Sequence, residues 1–130
     1  MEQMVSRWQP MALSLFRFIT GLMLFQYGVA KIFKFPAMDY FANPPPLIMT
    51  AGAIELVLGG LLMIGLFTRI TAFILSGEMA FAYFIGHFPK GFFPVVNGGT
   101  AAILLCFACL YLFTSGGGPI SVDAAMRKRD

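Results

Sequence analysis

The sequence is poor in charged residues, histidine and cysteine, and each shortage excludes a class of protein. Charged residues are 12% of the chain, whereas soluble domains carry about 25% because their surfaces face water. The two cysteines, Cys106 and Cys109, lie within one apolar run, which excludes a framework of extracellular disulfides. A net charge of only +3 does not indicate a nucleic-acid-binding protein. The chain therefore needs a solvent that tolerates apolar surface, and a lipid bilayer is such a solvent.

Apolar residues are abundant, at 58% of the 130 residues, and they are grouped in long stretches. Four stretches approach the length that crosses a bilayer core, at about 13–32, 47–67, 70–88 and 98–113. They are too long for strands and lack the alternation of strands. We therefore predict an all-α integral membrane protein, with residues 1–130 forming one antiparallel four-helix bundle and a polar tail at 116–130.

The breaks between the stretches and the basic residues predict the topology. Pro44-Pro45-Pro46 interrupts the chain after the first stretch, and Phe67-Thr68-Arg69 leaves room only for a tight hairpin between the second and third. With both termini in the cytoplasm, the inner side holds more basic residues than the outer side, as the positive-inside rule requires. The inner set is Arg7, Arg69, Arg127, Lys128 and Arg129, and the outer set is Lys31, Lys34 and Lys90.

The first stretch has an alternative interpretation as a signal peptide. Arg7 and Arg17 precede an apolar run that ends in Gly28-Val29-Ala30, a pattern that loosely resembles a cleavage site. Cleavage would leave three spans. We expect this stretch to remain as the first span of the bundle.

Ionisable side chains inside the predicted spans are the main candidates for function, because charge in a membrane is costly and usually serves a pairing or a site. They are Arg17, Lys31, Glu55, Glu78 and His87. A helical rise of about 1.5 Å per residue puts Glu78 near the depth of Arg17, and Glu55 near that of Lys31 and His87. We predict a structural Arg17–Glu78 pair and a separate outer cluster of Lys31, Glu55 and His87.

Two further patterns accompany these charges. Gly21 and Gly28 share a helix face with Arg17 and Lys31, and small residues on such a face allow close helix contact. The outer cluster is expected to be ringed by aromatic side chains, namely Tyr27, Tyr83, Phe92 and Phe93. Simpler interpretations remain open. Arg17 and Lys31 also suit snorkelling to the interfaces, Glu55 and Glu78 suit structural pairing, and His87 suits an ordinary interfacial position.

Motifs for autonomous chemistry are missing. Cys106 and Cys109 have the C-x-x-C spacing of thiol oxidoreductases, but a position near mid-membrane favours packing as their role. A single histidine excludes bis-histidine haem ligation within one chain, and no phosphate-binding, dinucleotide-binding or zinc motif is present. We predict no metal site and no catalytic residue, so any enzyme role is that of a non-autonomous subunit.

Short motifs along nearly the whole chain resemble those of the DoxX family of small four-helix membrane proteins of bacteria and archaea. Each motif is weak alone, but their order and spacing make the match specific. They are Arg17 with Gly21 and Gly28-Val29-Ala30-Lys31, then Ala51-Gly52-Ala53-Ile54-Glu55-Leu56-Val57-Leu58-Gly59-Gly60, Ile64-Gly65-Leu66-Phe67-Thr68-Arg69, His87-Phe88-Pro89-Lys90-Gly91-Phe92-Phe93-Pro94, Asn97-Gly98-Gly99 and Gly118-Pro119-Ile120-Ser121-Val122-Asp123.

The resemblance implies a link to quinone chemistry. The family is named after a subunit associated with a quinone-reducing thiosulfate oxidoreductase, and other members are linked to oxidative-stress complexes. Members usually carry a glutamate after Asn-Gly-Gly, whereas this chain has Thr100 there. If that acid belongs to a quinone or proton site, this chain has altered the site.

We therefore expect a membrane subunit of a quinone-linked redox system in the cytoplasmic membrane of a bacterium or archaeon. In this hypothesis quinone binds in the outer half of the bundle, where Lys31 or His87 bonds a quinone oxygen and Glu55 relays a proton. Expected partners are the lipid bilayer, a redox protein and further copies of the chain, with no nucleic acid. The alternatives are a non-enzymatic anchor or assembly protein and, more weakly, a small-molecule transporter.

Overall fold

A computed structural model of the chain describes residues 1–38 and 43–129, so residue 130 of the predicted tail lies outside it. The described residues are helical and contain no strand. In chain order the helices are α1 (Glu2–Ser6), α2 (Gln9–Ile32), α3 (Pro46–Ile64), α4 (Thr68–Ala82), α5 (Pro94–Asn97), α6 (Thr100–Ser115) and α7 (Val122–Arg129).

Within residues 1–38 and 43–129, three helical segments are long and apolar enough to cross a membrane. They are Gln9–Ile32, Pro46–Ile64 and Thr68–Lys90, the last comprising α4, a π-helical turn at Tyr83–His87 and a 3₁₀ turn at Phe88–Lys90. The fourth apolar helix, Thr100–Ser115, is shorter, and at about 1.5 Å per residue it spans less than a bilayer core of about 30 Å. The protein is thus an all-helical bundle with three to four apolar helices, compatible with a multi-pass membrane protein.

Helices α2 and α3 pack closely in antiparallel directions because glycines line their contact. A Cβ atom added to Gly21 would lie 2.6 Å from the backbone nitrogen of Met63, and one added to Gly28 would lie 2.5 Å from that of Leu56. Gly59 of α3 faces the backbone of Phe25 in the same way. Any larger side chain at these positions would push the two helices apart.

Helices α4 and α6 form the second closely packed pair, and the core lies where the two pairs meet. Ser76 Oγ of α4 donates a hydrogen bond of 2.8 Å to the carbonyl oxygen of Cys106 in α6. Buried side chains from all four long helices form one apolar cluster, namely Leu24, Leu62, Ala72, Leu75, Met79, Cys109 and Leu112. Both cysteines are free thiols, and Cys109 belongs to this core.

The bundle has two different ends. At the first, which we call the tail end, the segment after α6 folds back over the starts of α2 and α4. Ser14 Oγ accepts a hydrogen bond of 3.1 Å from the backbone nitrogen of Ile120, and the nitrogen of Asp123 donates to the carbonyl of Gly65 at 2.9 Å. The polar tail predicted at 116–130 is therefore docked from Gly116 onward and continues into α7.

Asp123 fastens this segment to the beginning of α4. Its two carboxylate oxygens accept hydrogen bonds from the backbone nitrogens of Phe67 and Thr68, at 2.8 and 2.9 Å. These are donors that a helix leaves unpaired in its first turn, and they favour an anion. Burial raises the pKa of Asp123, but the hydrogen bonds from Thr68 and Phe67 outweigh it and hold that pKa below its ordinary value.

At the opposite end, which we call the cavity end, α2 and α4 finish and α3 and α6 begin. The chain here is organised by Asn97, which is 3% exposed. Its side chain donates to the hydroxyl of Tyr83 at 3.2 Å and to the carbonyl of Gly91 at 2.9 Å, and accepts from the nitrogen of Gly99 at 2.8 Å. Asn97 thereby ties the turn before α6 to the end of α4.

Candidate functional site

A cavity of about 700 Å³ opens between the helix pairs at the cavity end. This volume lies within the range of small-molecule sites, which run from about 300 to 1,000 Å³. Its walls are mostly apolar and come from α2, α3, α4 and α6, with contributions from Ile54, Met79, Ile85 and Leu105. The ionisable side chains in its walls are Tyr27, Lys31, Glu55, Glu78, His87 and Lys90. An apolar cleft with a few convergent polar groups is the usual form of a ligand site.

Lys31 and Glu55 form an ion pair in the cavity wall. Lys31 Nζ lies 2.8 Å and 3.1 Å from the two carboxylate oxygens of Glu55. The Glu55 side chain is 1% exposed and that of Lys31 13%. The close α2–α3 contact makes the pair possible, because the space next to Gly52 holds the Cβ of Lys31. A buried charge of this kind requires a partner, and each residue supplies the other's.

Glu78 reaches the same wall from α4. Its carboxyl group lies beside that of Glu55. Both of its oxygens are buried, and neither receives a hydrogen bond from any residue in 1–38 or 43–129. Glu78 is therefore a buried acid in the cavity wall whose two oxygens accept no hydrogen bond from the described residues.

His87 lies at the outer rim of the cavity, on the π-helical turn that ends α4. Its Nδ1 is 3.2 Å from the carbonyl oxygen of Asn97, and its ring stacks on that of Tyr83 with centroids 6.4 Å apart. A π-helical turn inserts an extra residue into a helix and often marks a functional site. Here it brings His87 into the wall that also holds Lys31 and Glu55.

Of the aromatic side chains expected around this cluster, Tyr27 lines the cavity, with its ring 5.8 Å from Lys31 Nζ. Tyr83 is buried behind the wall and bonded to Asn97. Phe92 and Phe93 meet edge to face and are exposed, so they belong to the outer surface of the bundle. Thr100 is exposed and does not line the cavity, so the acids that do are Glu55 and Glu78.

The expected Arg17–Glu78 pair is corrected by the structure. Arg17 lies at the tail end, where it donates hydrogen bonds to the carbonyls of Gly117, Ile120 and Met63 at 2.5, 2.8 and 3.1 Å. Glu78 is ten residues past the start of α4 at Thr68, which is about 15 Å along the helix axis. The depth estimate failed because Arg17 itself marks the end of the bundle, while the first turns of α2 extend beyond it.

Two features of the site were missed in the sequence. Glu78 was assigned to the wrong end, for the reason just given. Asn97 stands out in the sequence only as part of the motif Asn97-Gly98-Gly99, although an asparagine two residues before a glycine nitrogen is typical of a side chain that bonds to its own backbone. The hydrogen bond from Gly99 to Asn97 is of this kind.

Comparison with known proteins identifies the family of the chain. The family model DoxX matches residues 12–88. A protein of Haemophilus influenzae, named only as an uncharacterized protein, is 40% identical over 131 residues, which cover 96% of this chain and 98% of that protein. No solved structure matches the chain.

Proposed function

Since the chain belongs to the DoxX family, we propose that it is the membrane subunit of a quinone-linked redox system and binds quinone in the cavity. One observation carries the proposal: the cavity is apolar, is of ligand size, and has Lys31, Glu55 and His87 in its walls. A quinone has an apolar ring and two oxygens that accept hydrogen bonds. It therefore needs a cleft with donors and a route for protons.

Each of the three residues has a distinct part in this proposal. Lys31 and His87 supply donors for the two quinone oxygens, from the inner and the outer side of the cavity. Glu55 holds Lys31 in place through the 2.8 Å ion pair and relays protons. Reduction of quinone to quinol takes two electrons and two protons. We place the electron source on a partner protein, because the sequence carries no motif for a bound redox centre.

The proposed setting is the cytoplasmic membrane of a bacterium, with both termini in the cytoplasm. Supporting this topology, the start of α2 and the C-terminal segment lie together at the tail end. Arg69 is at that end too, at the start of α4, whereas Lys31 and Lys90 belong to the cavity end. The cavity then opens in the outer half of the membrane. A reporter that is active only in the cytoplasm, fused after the last residue, should be active.

Native mass spectrometry of tagged protein, extracted gently from its own membranes, is the first test. The expected result is a mass that corresponds to one bound quinone, or a redox protein in fixed stoichiometry. A chain, alone or in several copies, that carries only phospholipid would overturn the proposal.

Glu55→Gln tests the assignment of residues. In lipid nanodiscs titrated with short-chain ubiquinone and menaquinone analogues, this variant should bind quinone at least about tenfold more weakly. Without the Glu55 carboxylate, Lys31 is no longer held where it donates to the quinone oxygen, and a hydrogen bond that involves a charged group contributes about 1.5–3 kcal/mol. Glu2→Gln makes the same chemical change on an exposed residue and should leave binding unchanged. Lys31→Met should weaken binding likewise, with Lys34→Met as its exposed control. Equal affinity in Glu55→Gln and Glu2→Gln would contradict the assignment.

A non-enzymatic anchor or assembly role is the second candidate, and the position of the ion pair favours it. Lys31 and Glu55 join α2 and α3 where glycines bring the helices together, so the pair fixes helix register even without a ligand. In this role each single substitution destabilises the bundle, whereas Glu55→Gln combined with Lys31→Met is tolerated. A double variant that folds and still assembles with its partner in cells, while quinone is absent from wild-type protein, would establish this alternative.

A further inference from the structure

Glu78 presents a chemical problem that the ion pair beside it does not solve. Its two oxygens are buried without a donor from the described part of the chain. The neighbouring Glu55 carboxylate already receives Lys31 Nζ at both of its oxygens, at 2.8 and 3.1 Å. The Glu78 carboxyl lies beside that of Glu55 in the cavity wall, and the ammonium group that bonds to Glu55 gives no hydrogen bond to Glu78.

Full ionisation of both carboxyl groups is unfavourable here for two reasons. A buried carboxylate without a hydrogen-bond donor costs several kcal/mol, and adjacent like charges repel strongly where little water is present. One proton between the two groups removes both costs. It neutralises one carboxylate and provides the hydrogen bond that the pair lacks, as in enzymes whose paired carboxyl groups share a proton.

We propose that Glu55 and Glu78 hold one exchangeable proton between them, with Lys31 as the balancing cation, and that an oxygen of a bound quinone exchanges this proton. The first part rests on the geometry of the cavity wall alone. The second rests on the proposed function, and it gives Glu78 a direct role in the site. The proton passes from a carboxyl oxygen to a quinone oxygen as electrons from the partner protein of the proposed function reduce the quinone, and it returns to the carboxyl pair when the quinol is oxidised.

The other ionisable groups around the pair have different positions. From α2, Tyr27 lies under Lys31 Nζ. From the end of α4, His87 bonds the carbonyl of Asn97 at the rim, and Lys90 lies in the wall of the same cavity. From α6, Cys106 meets Ser76, and Cys109 is buried in the core. The Glu78 carboxyl lies beside that of Glu55, so we expect a substitution at either residue to change the protonated group of the pair.

Infrared difference spectroscopy of the wild-type chain in nanodiscs tests the shared proton directly. A protonated buried carboxyl group gives a carbonyl stretch that shifts in D₂O. We expect this band in wild-type protein, its complete loss in Glu78→Gln, a change in its position in Glu55→Gln, and its retention in Glu2→Gln. Wild-type protein without the band, or a band unaffected by both Glu78→Gln and Glu55→Gln, would overturn the shared proton.

Addition of short-chain ubiquinone or menaquinone analogues to the same samples tests the exchange. The band should shift when quinone saturates the wild-type cavity, and an unchanged band at saturation would overturn the exchange. Quinone binding without the band would refute the shared proton and leave the proposed function standing. The band without quinone binding would refute the proposed function and leave the shared proton standing. Thermal unfolding of Glu78→Gln checks that the variant is folded.

Discussion

At the tail end of the bundle the buried guanidinium of Arg17 is bonded to three carbonyl groups, whereas at the cavity end the Glu78 carboxyl receives no hydrogen bond from residues 1–38 or 43–129. Both side chains carry ionisable groups inside a span, where charge is expensive. Arg17 is 4% exposed, and its bonds join α2 to α3 and to the C-terminal segment. A charge that is bonded within the protein serves the fold, whereas a carboxyl group with unused oxygens beside a cavity is available to a ligand.

The two ends also differ in packing, since the tail end is closed and the cavity end is open. The C-terminal segment closes the tail end, where Gly65 has a left-handed φ of 75° and a Cβ atom on it would collide with Ser121 and Arg17. The cavity end instead keeps about 700 Å³ of open volume. Substitutions at the tail end should therefore reduce stability, and those at the cavity end should reduce ligand binding.

Arg17→Met should have the largest effect on stability. Its removal leaves the carbonyls of Gly117, Ile120 and Met63 without their donor, and we expect the free energy of unfolding to fall by about 3 kcal/mol. Reversible unfolding in mixed detergent micelles, followed by circular dichroism, measures this. Arg7→Met removes an exposed arginine at the same end and is the control. Equal losses in the two variants would remove the contrast between the ends.

Gly28→Ala should have the next largest effect, because it acts on the helix contact that supports the cavity. The new Cβ would lie 2.5 Å from the nitrogen of Leu56, and overpacking of this kind costs about 2 kcal/mol. Separation of α2 from α3 should also weaken quinone binding. Gly77→Ala is a matched control, since a Cβ there meets nothing within 4 Å. If both alanine variants behave alike in unfolding and binding, the close contact is not what positions the site.

Asp123→Asn should cost about 1 kcal/mol at neutral pH, as the loss of a helix-capping carboxylate does. Because the folded-state pKa of Asp123 lies below its ordinary value, the ionised form favours the folded state. Its contribution is complete above the unfolded pKa of about 3.9 and is lost as the pH falls through the lower folded-state pKa. Unfolding measured across this acidic range should show a shallower slope in Asp123→Asn than in wild type. If the free energy of unfolding of Asp123→Asn falls with pH as steeply as that of Glu2→Gln, the proposed contribution of the Asp123 carboxylate is contradicted.

Glu78→Gln should have the smallest effect on stability, a change of about 0.5 kcal/mol or less. The amide keeps the shape of the side chain and can donate to the Glu55 carboxylate in place of the proposed shared proton, and Glu78 accepts no other hydrogen bond from the described residues. The same micelle unfolding measures this, with Arg17→Met as the reference from the other end. A loss as large as that of Arg17→Met would place Glu78 among the residues that hold the fold together.

The helical character of the chain and its family could be predicted from the sequence, because long apolar stretches and ordered motifs are local patterns. Lys31 and Glu55 were placed at one depth by counting residues from the same loop, and the structure joins them in an ion pair. The pair forms because the Cβ of Lys31 packs next to Gly52, about one turn before Glu55 on α3.

The partners of Arg17 could not be predicted in this way. They are backbone carbonyls, which any residue possesses, and one of them lies 100 residues away in sequence. The docking of the C-terminal segment could not be predicted for the same reason, since Asp123 accepts hydrogen bonds from backbone nitrogens rather than from a charged side chain. The pairing of Glu78 with Arg17 was predicted from their similar depth alone, and no side chain in the sequence marks the carbonyl groups that Arg17 binds instead.

The docked C-terminal segment also sets an order of events during synthesis. Arg17 precedes the carbonyl of Gly117 by 100 residues, which a ribosome adds in about 5 to 20 seconds. Helix α2 is therefore synthesised before the groups that bind its arginine have been made. The bundle is closed at this end only after the segment that follows α6 has been made, so a nascent chain that stops before Gly117 leaves Arg17 without this hydrogen-bond partner.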